Sequence, residues 1–573
     1  MARDERMRPQ GPQGPPQKRP RVDGIDKFVF SSDTGVLSPV PNHLLDEILY
    51  AFTPKQLAQL ATTCRDGRTI AYEFAKMHIN EFPRARTSKL ASNETWPQLL
   101  NFFTAQSAAA AQATSLSLGT HHTVGLVVEE DPSSWDPRHG PISLRTWGKG
   151  FYGQLGSAAF EDHEEPGEIQ LSTSLAGEAK PPPAVVACGN SHSMCISRRG
   201  ELFTWGLASS GELGHGGRIP LGVPVPCQVR GALVNLRVVS ISAGGNHSLA
   251  ITEDGTLWSC GRGNSGQLGH GTQMNEGALR RVEHLRGLRI VSTAAGVAHS
   301  VALASDGTLF TWGDGRYGQL GHSALETLQN VVVNIALSKP WKVKALCPRK
   351  LLPTDRVTAI AAGGHHTMAL TVGGELKVFG RNHHGQLGLR ERTTRQGIAL
   401  HNKWSPVTVP IDAPKGGNVR VVHAAAGTSH SLVLVHLNGV PVVLTAGSNC
   451  FGQLGHGDTA QRNKFTTVRG LCGRRIVALM SGDFHCAAVD PDGGVFMWGR
   501  GDSGQLGTGD TRCRWEPVKL RGLCAVNPDR TIRRKGGNDI CIPKTEEELR
   551  AEENERREKD KTNCIPRYFS VVT

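Results

Sequence analysis

Between about residues 114 and 523 the chain is written in short apolar runs of strand length, each cut off by a turn signal. Ser248-Leu-Ala-Ile-Thr is followed by Asp254-Gly255 and then Thr256-Leu-Trp258, two strand-like stretches around a glycine-containing turn. Asp306-Gly307, Gly373-Gly374, Asn438-Gly439 and Asp492-Gly493 repeat that hairpin. The pattern predicts an all-β body. No apolar run approaches the roughly 18 residues that a membrane-spanning helix needs, so no membrane partner is expected.

Two motifs recur seven times and set the architecture. The first is a hydrophobic or small residue, then Gly, four variable residues, Gly, Gln or Glu, Leu and Gly. It runs from Trp147, Trp205, Cys260, Trp312, Phe379, Ala446 and Trp498, and its first glycines recur every 52 to 67 residues. The second, Gly-x-x-His followed by Ser, Thr or Cys, precedes each copy, with His122, His192, His247, His299, His366, His430 and His485. A unit of about 50 residues with four short strands is a propeller blade, which buries both faces only when neighbours pack around a ring. Seven units predict a seven-bladed β-propeller over residues 114–523. The last motif is followed by Trp515-Glu-Pro-Val-Lys-Leu520, whereas the first unit opens at Ser115-Leu-Ser-Leu-Gly119. Residues 514–523 are therefore expected to complete the first blade by pairing beside residues 115–126.

These motifs at this spacing resemble those of the regulator of chromosome condensation family. The resemblance implies the seven-bladed fold and a range of roles: guanine-nucleotide exchange on Ran, ubiquitin-ligase components, light sensing and scaffolding. A fold shared by unrelated activities does not choose among them. The plant ultraviolet-B photoreceptor branch carries Trp directly after the motif glycine. Here that position holds Thr120, Asn190, Gly245, Val297, Gly364, Thr428 and Asp483, so photoreception is not expected.

Composition agrees with a turn-rich repeat protein, with 68 glycines in 573 residues. A formal net charge of +13 favours acidic partners. Thirteen scattered cysteines show no Cys-x-x-Cys spacing and read as reduced thiols. Gly-x-Gly-x-x-Gly occurs at Gly148, Gly261, Gly313 and Gly499, but no helix pattern follows, so these read as turns and no nucleotide cofactor is expected. The seven histidines lack nearby metal-ligand partners; each is expected to hydrogen-bond backbone within its own unit, with no metal and no catalytic role. The motif tryptophans read as blade packing. Basic residues follow the first motif glycine at Lys149, Arg262, Arg381 and Arg500, a candidate positive rim if these loops share a face.

The flanks differ in character. Residues 1–35 form a Pro-rich basic tail with Lys18-Arg19-Pro20-Arg21, an import-like cluster. Residues 36–105 predict helices, with Leu44, Leu45, Ile48, Leu49 and Phe52 on one stripe and Thr53-Pro54 opening the next. Their order resembles an F-box, a module that docks on a Skp-type adaptor, with Pro41, Leu44, Leu45 and Ile48 as its candidate docking surface. Residues 524–573 predict a charged tail whose helix opens at Thr545 and runs to about Lys559. The expected class is thus all-β, a seven-bladed β-propeller with a small N-terminal α-helical segment and a charged C-terminal helix. The expected function is a non-enzymatic substrate receptor of a cullin-type ubiquitin ligase, or a scaffold, in nucleus or cytoplasm. The alternative is a guanine-nucleotide exchange factor for a Ran-like GTPase with chromatin contact. It would use a protruding loop from residues 157–183, 322–355 or 389–418.

Overall fold

The computed structural model describes residues 115–128, 142–171, 181–216, 219–322, 344–351, 356–390, 402–412 and 417–525. They form seven antiparallel four-stranded blades. Blade 1 holds β1 (Leu116–Leu118), β2 (His122–Val128), β3 (Ile142–Gly148) and β4 (His163–Ile169). Blade 2 holds β5 (Pro183–Cys188), β6 (His192–Ser197), β7 (Leu202–Ala208) and β8 (Ile219–Gln228). Blade 3 holds β9 (Val238–Ala243), β10 (His247–Thr252), β11 (Leu257–Gly261) and β12 (Glu276–Arg281). Blade 4 holds β13 (Ile290–Ala295), β14 (His299–Ala304), β15 (Leu309–Asp314) and β16 (Lys344–Leu351). Blade 5 holds β17 (Val357–Ala362), β18 (His366–Thr371), β19 (Leu376–Gly380) and β20 (Lys403–Thr408). Blade 6 holds β21 (Val419–Ala426), β22 (His430–Leu437), β23 (Val440–Gly447) and β24 (Arg462–Thr467). Blade 7 holds β25 (Ala478–Ser481), β26 (His485–Val489), β27 (Gly494–Gly499) and β28 (Arg514–Ala525).

Among the described residues there is no α-helix, only single 3-10 turns at Glu283–Leu285 and Arg469–Leu471. The expected helical segment at 36–105, with Pro41, Leu44, Leu45 and Ile48, lies outside the described residues, as do the basic tail and the helix expected from Thr545.

The core sits between blades. Leu249, Ile251 and Leu257 of blade 3 pack with Ala302 and Trp312 of blade 4, and Leu432 and Leu434 of blade 6 pack with Phe496 and Trp498 of blade 7. A lone blade would leave one of these surfaces in water, so stability belongs to the ring as a whole.

Ring closure differs from the expectation. Blade 1 already has an inner strand, β1, pairing with β2 from Leu116↔Gly125 to Leu118↔Thr123. Residues 514–523 pair instead with β27, at Gly499↔Arg514, Met497↔Val518 and Phe496↔Lys519, and form the outer strand of blade 7. Only the end of β28 crosses to blade 1, through Val127↔Ala525 and Val128↔Cys524. The outer strands of blades 1, 4 and 5 also fall inside segments read from sequence as insertions, at 163–169, 344–351 and 403–408.

Candidate functional site

The motif residues build a clasp between blades. In every blade the motif histidine is fully buried, and its Nε2 meets the Ser, Thr or Cys that follows the histidine of the next blade. The distances are 2.9 Å for His122–Ser193, 3.0 Å for His192–Ser248, 2.9 Å for His247–Ser300 and 3.0 Å for His299–Thr367. They continue at 2.8 Å for His366–Ser431, 3.0 Å for His430–Cys486 Sγ, and 3.1 Å for His485–Thr123, which closes the circle. Each hydroxyl in turn donates to the carbonyl of the motif Gln or Glu one blade back, as Ser300 Oγ does to Gln267 O at 2.8 Å. A hydroxyl that donates there accepts from the imidazole, which assigns the proton to Nε2. The indoles of Trp147, Trp205, Trp312 and Trp498 donate to the same carbonyls, those of Gln505, Gln154, Gln267 and Gln453. The histidine bond therefore runs between units and not, as expected from sequence, to backbone within one.

The clasp also explains the motif glycines. A Cβ on Gly119 would stand 2.4 Å from His122 Cε1 and 2.6 Å from Gly189 O. Gly148 has φ +103° and runs into a loop rather than a helix, so its glycine signature is a turn. Burial holds the clasp imidazoles neutral, with His122, His247, His366, His430 and His485 pushed down to about 3 and His192 to about 4. Neutral, enclosed imidazoles hold blades together, and that of His430 meets Ser481 Oγ at 2.9 Å as well as Cys486 Sγ.

The strand order places the inner-strand turns and the motif loops on one face, and the β-hairpins on the other. The residue after each first motif glycine hydrogen-bonds an inner-turn carbonyl in all seven blades, as in Lys149 N to His121 O and Arg381 N to His365 O, both 2.8 Å. Arg262 N bonds Asn246 O at 2.8 Å and Arg500 N bonds Phe484 O at 3.0 Å, so the four basic residues lie on one face. They do not form an even ring. Arg262 stands exposed on blade 3, whereas Arg381 and Arg500 each join aromatic residues that the sequence reading passed over.

Arg381 Cζ lies 4.9 Å from the Tyr317 ring centre, and Arg316 Cζ lies 5.8 Å from it. Tyr317 also packs on His365 and His383, with ring centres 5.1 Å and 6.0 Å apart. Arg500 lies 4.8 Å from Phe451 and 5.7 Å from Phe484, and its guanidinium pairs with Asp502 at 2.7 Å. Burial, then Arg500 and Lys149, lower the pKa of His121. At blade 1 the loop presents Phe151, 62% exposed, edge-on to Tyr152. The position before the second motif glycine is Tyr317, His384, Phe451 and Tyr152 in blades 4, 5, 6 and 1, but Ser210, Ser265 and Ser503 in blades 2, 3 and 7. An arc of aromatic and arginine side chains thus runs from blade 4 round to blade 1.

The axis is nearly filled by the inner turns, leaving a cavity of ≈ 80 Å³ lined by Gly119, Gly189, Gly244, Gly296 and their neighbours. Thr120 Oγ1 donates to Asp483 Oδ2 at 2.7 Å at this end. Too small for an organic substrate, it makes the arc the candidate site. The opposite face carries arginines at one repeated place, just before or at the start of the inner strand: Arg237, Arg289, Arg356, Arg420 and Arg475. Arg237 Nη2 reaches Arg198 O of the adjacent hairpin at 3.4 Å, and Arg289 Nη1 reaches Asp254 O at 3.1 Å.

The sequence profile of the RCC1-like domain matches residues 143–542. The chain belongs to the RCC1-like domain family. Among curated RCC1-like relatives, the ultraviolet-B receptor UVR8 of Arabidopsis thaliana is 30% identical over 411 residues, 71% of this chain and 81% of UVR8. The mouse E3 ubiquitin-protein ligase HERC2 is 30% identical over 393 residues, 68% of this chain but only 7% of HERC2. Among solved structures, yeast RCC1 (Prp20) bound to Kap60 is similar with a TM-score of 0.54 and 21% identity, covering 69% of this chain and 85% of Prp20. Prp20p of Saccharomyces cerevisiae, solved with a study of its binding to Gsp1p and histones, also gives 0.54 and 21%, over 73% of this chain and 89% of its own. These structures share the fold. None of the seven inner-turn positions from Thr120 to Asp483 is a tryptophan in this RCC1-like chain.

Proposed function

We propose that this RCC1-like chain is a non-catalytic substrate receptor of a cullin-type ubiquitin ligase: the motif-loop face binds a target protein, and residues 36–105 dock a Skp-type adaptor. The observation that carries the reading is the arc of Tyr317, Arg381, Phe451, Phe484, Arg500 and Phe151. Aromatic and arginine side chains in this combination dominate protein–protein contacts, and the uncompensated cation of Arg381 suits an acidic partner. The clasp imidazoles, enclosed and held neutral, suit a structural role. Two relatives are named a ligase, HERC2, and a probable ligase, HERC4, of which this chain covers 7% and 32%; that kinship agrees with the pathway. The F-box-like order Pro41, Leu44, Leu45, Ile48 supports the adaptor.

Purified full-length chain mixed with a Skp-type adaptor at micromolar concentration tests this directly. Co-elution that Leu45→Asp with Ile48→Asp abolishes, the propeller's melting being unchanged, supports the receptor. The competing reading is nucleotide exchange on a Ran-like GTPase, with chromatin contact through the basic tail; Prp20p, which has the same fold, was solved with a study of its binding to Gsp1p and histones. Accelerated GDP release from such a GTPase by the full chain, with no adaptor binding, would move the assignment there. Either function places the protein in nucleus or cytoplasm, although one relative, RUG3 of Arabidopsis thaliana, is named mitochondrial.

A further inference from the structure

The junction of blades 4 and 5 on the motif-loop face is unlike the rest of the arc in its hydrogen-bond balance. Its acceptors are engaged, and several of its donors are not. Arg316 is held by Asp314, which is buried to 1% exposure, through Nε at 3.0 Å and Nη2 at 2.9 Å. That pair fixes the guanidinium and leaves Arg316 Nη1 outside it. Arg381 has no carboxylate partner among the described residues, and its Nε donates to His383 Nδ1 at 3.1 Å. A histidine accepting at Nδ1 carries its proton on Nε2, so His383 presents a further donor. Beneath them, the side-chain amide nitrogens of Gln319 and Gln386 bond nothing among the described residues. Those of Gln453 and Gln505 reach Cys450 and Asp502 in their own loops. His365 Nδ1 is likewise without a partner; burial lowers its pKa, Asp314 opposes that, and Arg381 and Arg316 add to the lowering. The Arg500 cluster at blade 7 is already neutralised by Asp502.

Two guanidiniums near one tyrosine ring, at 5.8 Å and 4.9 Å from its centre, with an imidazole donor beside Arg381 and a single carboxylate already engaged, make a donor-rich, net positive cluster. We propose that this cluster, Arg316, Tyr317, Arg381 and His383, binds a phosphorylated side chain of the target protein. A phosphate monoester brings between about −1.5 and −2 charges and three acceptor oxygens, against one charge and two oxygens for a carboxylate. It therefore uses both guanidiniums at once, as phosphopeptide readers do. The inference rests on the receptor reading for its target but on this geometry for its chemistry.

The test is an array of degenerate short peptides with a fixed central serine, phosphoserine or glutamate, probed with the full-length chain. Phosphoserine spots should capture about tenfold more chain than their serine or glutamate counterparts, and inorganic phosphate should compete. Arg381→Ala should reduce phosphoserine capture to the serine level with an unchanged melting curve, whereas Arg262→Ala, exposed on blade 3 of the same face, should leave it intact. Equal capture of glutamate and phosphoserine, full capture by Arg381→Ala, or no preference over serine would each overturn the proposal. Adaptor binding by the same preparation separates the two claims. With adaptor bound and no phosphoserine preference, only the phosphate site falls; with preference and no adaptor, only the ligase assignment falls.

Discussion

Mild acid should unlock the ring through its seven clasp histidines. In the unfolded chain a histidine titrates near 6.5, whereas in the ring burial holds five of the seven at about 3, His192 at about 4 and His299 well below its ordinary value. Between those limits the unfolded state binds protons that the folded state refuses, so stability falls as pH drops below about 6.5 and is restored above it. Each histidine contributes about 1 kcal/mol between pH 6.5 and 5.5 and approaches about 1.4 kcal/mol per pH unit below that. Seven acting together remove about 7 kcal/mol between pH 6.5 and 5.5, comparable with the whole stability of a typical domain. Carboxylates titrate mainly below pH 5 and add little to this interval. Urea midpoints measured at pH 7.5, 6.5 and 5.5 should therefore fall steeply between the last two, and the unfolding free energy of His247→Gln should fall by about 1 kcal/mol less over that last step. A midpoint flat down to pH 5.5, or an unaltered slope in His247→Gln, would refute the neutral-clasp account.

Other consequences follow from the same contacts. Ser300→Ala removes both the acceptor of His247 and the donor to Gln267 O, and should cost about 1 to 3 kcal/mol by denaturant unfolding; Ser300→Thr, which keeps the hydroxyl as Thr367 does in blade 5, should cost less. Truncation after Gly509 removes β28, leaving β27 as an edge and discarding the buried Leu520 and Leu523. The melting temperature should drop for the whole propeller, and an unchanged melt would contradict the pairing described.

Seven blades and their hairpins were legible because glycine turns and period-two runs are local signals. The clasp partners were not. His122 and Ser193 are 71 positions apart, and nothing local shows whether an imidazole turns inward or toward the next blade. Ring closure was misread because β28 carries the half-exposed alternation of any outer strand, while the inner strand of blade 1 is only three residues, Leu116–Leu118. Lys149, Arg262, Arg381 and Arg500 were found from their place after a motif glycine. Arg316, Tyr317 and His383 occupy variable loop positions and gain meaning only when blades 4 and 5 bring them together. The arginines of the opposite face do have a signal, an Arg at the entry of successive inner strands, but the inner strands must be assigned before it can be seen.

The central claim is that one face of the propeller selects the target while a separate segment recruits the ligase. Quantitative mass spectrometry of proteins captured by three versions of the full chain tests it: unaltered, Arg381→Glu with Arg500→Glu, and Leu45→Asp with Ile48→Asp. The rim variant should lose one or more targets and keep the Skp-type adaptor, and the prefix variant should lose the adaptor and keep the same targets. A rim variant that captures every protein the unaltered chain does would contradict the account.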